Sequence, residues 1–119
     1  MFLADWTGCT ANEIFQSFEE YNRNDEYDYS KYDGVEILLA YYSYEDYSGE
    51  AFVLFRKDNQ LNEVNGTHCS CYGLENQWEP EKTTVEALQH RLDNGYFGRD
   101  FSSKRNVFYN ELKQILETL

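Results

Sequence analysis

Apolar side chains recur at Ala11, Ile14, Phe15, Phe18 and Tyr21, the three-and-four spacing that turns one face of a helix towards a core. Thr10 and Glu13 stand just ahead of them in the arrangement of a capping box, so a helix is predicted over residues 10–23. Residues 24–34 show no period and are rich in turn formers, which reads as a loop. From Val35 to Tyr44 the pattern changes to a run of β-formers long enough for a central strand. Ser48-Gly49 is expected in a turn, Ala51–Arg56 as the next strand, and Asp58-Asn59 as a tight turn into Leu61–Val64.

Asn65-Gly66 carries the sharpest local signal, because both residues accept positive φ and suit a type I′ hairpin. A turn there joins Leu61–Val64 to a strand over Thr67–Tyr72. It sets Val64 opposite Thr67 and Glu63 opposite His68, and it places Cys69 and Cys71 on the face of Val64. Further on, Thr83 and Glu86 form a second capping box before Val85, Leu88 and Leu92, and Asn94-Gly95 supplies a helix stop. Ser102 or Ser103 is expected to cap a last helix with Phe108, Leu112, Ile115, Leu116 and Leu119 on one stripe. The element order α-β-β-β-β-α-α predicts an α+β fold. It is a four-stranded antiparallel meander with one N-terminal and two C-terminal helices packed on one face.

At 119 residues the chain is the size of a single domain, 1–119. With 22 acids against 10 bases the formal charge is −12, which disfavours direct binding to nucleic acid or to an anionic membrane. The start Met1-Phe2-Leu3-Ala4-Asp5 has no basic residue, so no signal peptide is expected, and no apolar run approaches the roughly 20 residues of a membrane span. A cytoplasmic protein is therefore expected, with Cys9, Cys69 and Cys71 as thiols.

His68-Cys69-Ser70-Cys71 offers donors that zinc accepts, with Cys9 or His90 to complete the set. The spacing departs from the usual two-to-four-residue separation of structural sites, and strand alternation aims His68 away from the thiols. Read as small buried hydrophobes, the thiols need no metal, and no cofactor is expected. No phosphate-binding glycine loop, calcium loop or nucleophile-and-base pair is present in the sequence.

Charge distribution is the unusual feature. Residues 19–50 hold ten acids and two bases, a net charge of −8, together with eight of the eleven tyrosines. Tyrosine supplies contact area and a hydroxyl at low entropic cost, and carboxylates spread among tyrosines can oppose a basic groove as phosphates do. Asp25, Glu26, Asp28, Tyr29, Asp33, Glu45, Asp46 and Tyr47 are the residues expected to bind a partner. The plainer alternative is a solvated face that keeps a small domain soluble.

The segments Glu63–Thr84 and Tyr44–Gly49 resemble a family of small acidic proteins encoded by bacteriophages and prophages. The resemblance implies a phage accessory protein acting in the cytoplasm of the host bacterial cell. Its expected function is non-catalytic inhibition of a host defence or nucleic-acid-handling protein with a basic surface, in the manner of restriction or CRISPR inhibitors. A small metal- or thiol-dependent factor centred on His68, Cys69 and Cys71, and a virion assembly protein, are the alternatives. The sequence leaves a homodimer open.

Overall fold

In the computed structural model, which describes residues 1–19, 30–43, 48–69, 73–74, 77–94 and 107–119, the first helix starts where its capping box predicts. The Thr10 amide donates to Glu13 Oε1 (3.2 Å) and the Glu13 amide donates back to Thr10 Oγ1 (3.3 Å). Two orphan donors of the helix N-terminus are thereby satisfied. Helix α1 is described over Ala11–Glu19 and buries Ile14, Phe15 and Phe18; the predicted extension to residue 23 lies outside the described residues.

The chain forms two compact units, Met1–Lys82 and Thr83–Leu119. The first contains a five-stranded sheet in the order β1 (Phe2–Ala4), β2 (Glu36–Tyr42), β3 (Ser48–Lys57), β4 (Gln60–Cys69) and β5 (Glu81–Lys82). Strand β1 runs parallel to β2, and the other neighbours are antiparallel. The class is thus α+β, but the sheet has five strands and is mixed, where four antiparallel strands were expected. Both unpredicted strands are too short to show a hydrophobic period, and a parallel pair needs the long crossover that α1 supplies.

The largest correction concerns Asn65-Gly66, which lies inside β4 and forms no turn. The hairpin closes at the other turn the sequence predicts, Asp58 and Asn59, whose φ angles of 53° and 64° are those of a type I′ turn between Lys57 and Gln60. Strands β3 and β4 then pair without interruption from Lys57↔Gln60 to Ser48↔Cys69. Val64, Gly66 and His68 share one face, whereas a turn at 65–66 would bring position 69 to it. Gly66 has no positive φ; it is small because an added Cβ would lie 3.1 Å from Gln77 Oε1 and 3.2 Å from Leu74 Cδ2. Ser48-Gly49, expected in a turn, begins β3, and a Cβ at Gly49 would fall 1.8 Å from the Ser43 carbonyl oxygen.

Opposed positions put Ala40, Val53 and Val64 in one row across the sheet and Tyr42, Ala51 and Gly66 in the next. A bulge between Ile37 and Leu39 shifts the register, so Ile37 opposes Phe55 while Leu39 opposes Leu54. Ile37 therefore joins the face covered by α1, and Leu39 is buried on the other with Phe52 and Leu54. Trp6, Tyr32 and Leu74 close the α1 side. Trp78 packs there with its ring 4.8–5.9 Å from those of Phe15, Phe18, Tyr32 and Phe55, an arrangement that adds directional ring contacts to area burial. Gln77 covers part of the β4 edge: its side chain accepts from the Thr67 amide (2.8 Å) and donates to the Thr67 carbonyl (2.6 Å), replacing a strand neighbour.

In the second unit, α2 spans Val85–Asn94 and α3 spans Tyr109–Thr118. The cap of α2 is Thr84 rather than Thr83, since Thr84 Oγ1 accepts from the Ala87 amide at 3.1 Å, while Thr83 is buried. Helix α3 begins after Phe108 with no side-chain cap, so the expected start at Ser102 or Ser103 is too early; those serines lie outside the described residues. Leu88, Leu92, Leu112 and Leu116 are buried as their spacing predicts.

Asn59→Val should destabilise the protein by about 1–2 kcal/mol, because a β-branched residue resists positive φ, while Asn59→Gly should melt at or above the parent temperature. Gly49→Ala should cost about 2 kcal/mol or more by overpacking against Ser43. Thermal unfolding measures all three; equal melting of the two Asn59 variants would place the turn elsewhere.

Candidate functional site

A 3₁₀ turn, Ser30–Tyr32, brings part of the acidic segment against α1. Tyr32 stacks on Phe15 with ring centroids 4.4 Å apart and an interplanar angle of 11°. Its hydroxyl donates to Glu19 Oε1 at 2.9 Å, and Lys31 forms an ion pair with the same carboxylate. Lys31 Nζ also stands 5.3 Å from the Tyr32 ring centroid, a cation–π distance. Glu19 is only 1% exposed. Burying a carboxylate is tolerable only when it is paired and hydrogen-bonded, and the 3₁₀ turn supplies both partners.

This clasp positions Asp33 beside α1. The Asp33 amide closes the turn by donating to the Ser30 carbonyl at 3.1 Å, leaving the carboxylate exposed. A groove of about 410 Å³ is lined by Asn12, Phe15, Gln16, Tyr32 and Asp33. Asn12 and Gln16 are one helical turn apart and exposed, while Phe15 and Tyr32 are buried. The arrangement is an aromatic floor with a polar rim carrying one carboxylate.

Of the residues expected to bind a partner, Asp33 is the one the structure places; Asp25, Glu26, Asp28, Tyr29, Glu45, Asp46 and Tyr47 lie outside the described residues. Some members of the acidic, tyrosine-rich segment have other roles. Glu19 is inside the fold, and Glu36 is exposed but paired with Arg56 at 3.1 Å. Tyr32 and Tyr41 are buried and Tyr42 is half-buried, so part of the tyrosine enrichment builds core. Asn12 and Gln16 were not legible as site residues: their i, i+4 spacing marks a polar helix flank, but nothing local says which loop meets it.

The metal candidates are dispersed in role. His68 is 3% exposed, with its ring stacked 4.2 Å from that of Tyr42. Its Nε2 lies 2.5 Å from the Ser43 carbonyl oxygen; a carbonyl only accepts, so Nε2 carries the proton and donates. Nδ1 faces the Tyr42 hydroxyl at 3.4 Å. Among the described residues no group of three His, Cys, Asp or Glu side chains is placed to hold a metal ion. Cys71 and the side chain of Cys69 lie outside the description, and Cys9 is a half-buried free thiol packed against the core.

No protein-family model, curated protein or solved structure matches the chain. Among the described residues no helix is long and apolar enough to cross a membrane.

The two ion pairs should differ in value. Lys31→Ala leaves a buried carboxylate with less compensation and should cost about 1–3 kcal/mol. Arg56→Ala breaks an exposed pair and should cost less than about 1 kcal/mol. Glu19→Gln, which keeps an acceptor for Tyr32, should be milder than Glu19→Ala. Urea unfolding of the four variants measures the order, and equal losses for Lys31→Ala and Arg56→Ala would contradict the structural role given to Glu19.

Proposed function

We propose that the protein is a non-catalytic accessory protein of phage origin that binds and inhibits a basic, nucleic-acid-handling or defence protein of a bacterial host. The observation that carries this reading is the net charge of −8 across residues 19–50. Eight acids of that segment remain once buried Glu19 and the Arg56-paired Glu36 are set aside. A surface of this sign attracts cationic partners and speeds their encounter. It also makes the inhibitor a competitor for whatever polyanion the partner normally holds. The interleaved tyrosines provide buried contact area once the encounter has occurred. The resemblance of Glu63–Thr84 and Tyr44–Gly49 to small acidic phage proteins supplies the host compartment, and the anti-restriction or anti-CRISPR mode is the form of inhibition that fits a nucleic-acid mimic. A metal- or thiol-dependent factor is less well supported, since His68 commits its Nε2 proton to Ser43 and turns Nδ1 towards Tyr42.

The test is capture of a partner from bacterial lysate on the immobilised protein, followed by kinetics with the purified partner. Binding should weaken steadily from low to high salt, because exposed charges are screened. Charge reversal at Asp25, Glu26 and Asp28, or at Glu45 and Asp46, should slow association, and truncation of Tyr29 or Tyr47 should speed dissociation. Reversal at Glu79 and Glu81, both exposed and outside the segment, is the control. Cluster and control variants that bind alike would reduce the acidic surface to a solubilising one.

A further inference from the structure

We propose that Asn65 is a site of spontaneous deamidation that strand β4 holds closed, so that opening of the strand is recorded as an irreversible covalent change. Two asparagines in the chain precede a glycine, in Asn65-Gly66 and Asn94-Gly95. The dipeptide is reactive because glycine has no Cβ to shield its nitrogen or to restrict its backbone. The Gly66 nitrogen, losing its proton, attacks Asn65 Cγ; the N–Cγ bond forms, the Cγ–Nδ2 bond breaks, and Nδ2 leaves as ammonia. Water then opens the succinimide ring at either carbonyl, giving aspartate or a β-linked isoaspartate. The balance is the hydrolysis of one amide, with no oxidation or reduction.

The fold blocks the first step while leaving the Asn65 side chain exposed. Lys57 and Gln60 flank a two-residue turn and exchange both backbone bonds, and bonded pairs recur at every second position from there. Ala51↔Gly66 is one of them, so the nitrogen that must attack is donating to β3. Asn65 Nδ2 is committed as well, donating to Glu63 Oε1 at 2.9 Å. Packing keeps the reactive neighbour small, because the space above Gly66 is taken by Leu74 and Gln77. Once β4 opens, the dipeptide regains its intrinsic preference for a turn, which brings nitrogen and Cγ together.

Either product then fits the strand poorly. Aspartate replaces the Nδ2 donor with a carboxylate oxygen facing Glu63, which is 4% exposed, and like charges that close disfavour one another. Isoaspartate routes the main chain through an extra methylene, which breaks the register of the pairs from Ala51↔Gly66 to Ser48↔Cys69. Gly49↔His68 is among these pairs, and the His68 bond to the Ser43 carbonyl depends on it.

The experiment incubates the full chain at mildly alkaline pH, native and in concentrated guanidinium chloride, and follows both Asn-Gly sites by peptide mapping. Conversion shows as the mass change of amide to acid and as methyl acceptance from an isoaspartyl methyltransferase. In denaturant Asn65 and Asn94 should convert at similar rates, since the dipeptide alone then sets the rate. In the native protein Asn65 should convert at least about tenfold more slowly than in denaturant, because only the open fraction reacts. Asn65→Gln should remove the signal at that position in denaturant while conversion at Asn94 continues. After denaturant is removed, treated parent chains should melt below untreated ones, whereas treated Asn65→Gln chains should melt as they did before treatment. Asn65→Asp, the aspartate product made directly, should also melt below the parent. Equal Asn65 rates in the two conditions, no conversion at Asn65 in denaturant, or unchanged melting of treated parent chains would each overturn the proposal.

Discussion

Two consecutive residues held at positive φ, Asp58 and Asn59, set the parity of every side chain along β3 and β4. Side chains alternate along a strand, so moving the turn by one residue would exchange the two faces of the hairpin. With the turn where it is, Val53, Phe55 and Val64 meet α1, and the tenth pair brings Ser48 opposite Cys69. Gly49 comes opposite His68, and there the lack of a side chain leaves room for the Ser43 carbonyl to accept from the imidazole. Gly66 falls beneath Leu74 and Gln77 for the same geometric reason. Asp and Asn are suited to this turn because their short polar side chains tolerate the left-handed region better than most.

On that frame the aromatic residues link the sheet to the surface that faces solvent. Phe55 of β3, Phe15 and Phe18 of α1, and Tyr32 of the 3₁₀ turn all pack on Trp78. Tyr32 then serves three purposes at once: it fills core, donates to Glu19, and forms half the floor of the groove. The buried carboxylate gives the turn a specified position, since leaving Glu19 without its partners would cost more than an ordinary contact is worth. Asp33 inherits its place from this clasp rather than from any interaction of its own carboxylate.

The acidity of the chain is consequently not one property. Glu19 contributes to the fold, Glu36 pairs with Arg56 across β2 and β3, and Glu63 is buried with an Asn65 amide donating to it at 2.9 Å. Asp33 and Glu50, by contrast, are exposed and present their charge to solvent. A count of carboxylates along the sequence does not separate these roles, because burial and pairing depend on residues distant in the chain.

What the sequence by itself determined was local. The Thr10–Glu13 cap, the apolar stripes of α1, α2 and α3, the β-rich character of residues 36–42 and 51–57, and the Asp58-Asn59 turn all follow from neighbours within a few positions. The α+β class follows from their order. Tertiary structure decided which of two turn-forming dipeptides closes the hairpin: uninterrupted pairing with β3 outweighs the intrinsic preference of Asn65-Gly66. It also decided that Phe2–Ala4 joins the sheet beside β2, that Glu19 is buried, and that Asn12 and Gln16 face Asp33 across a groove. Each of these joins residues more than ten positions apart, where the chain carries no local signal and only the free energy of the whole packed unit selects the pairing.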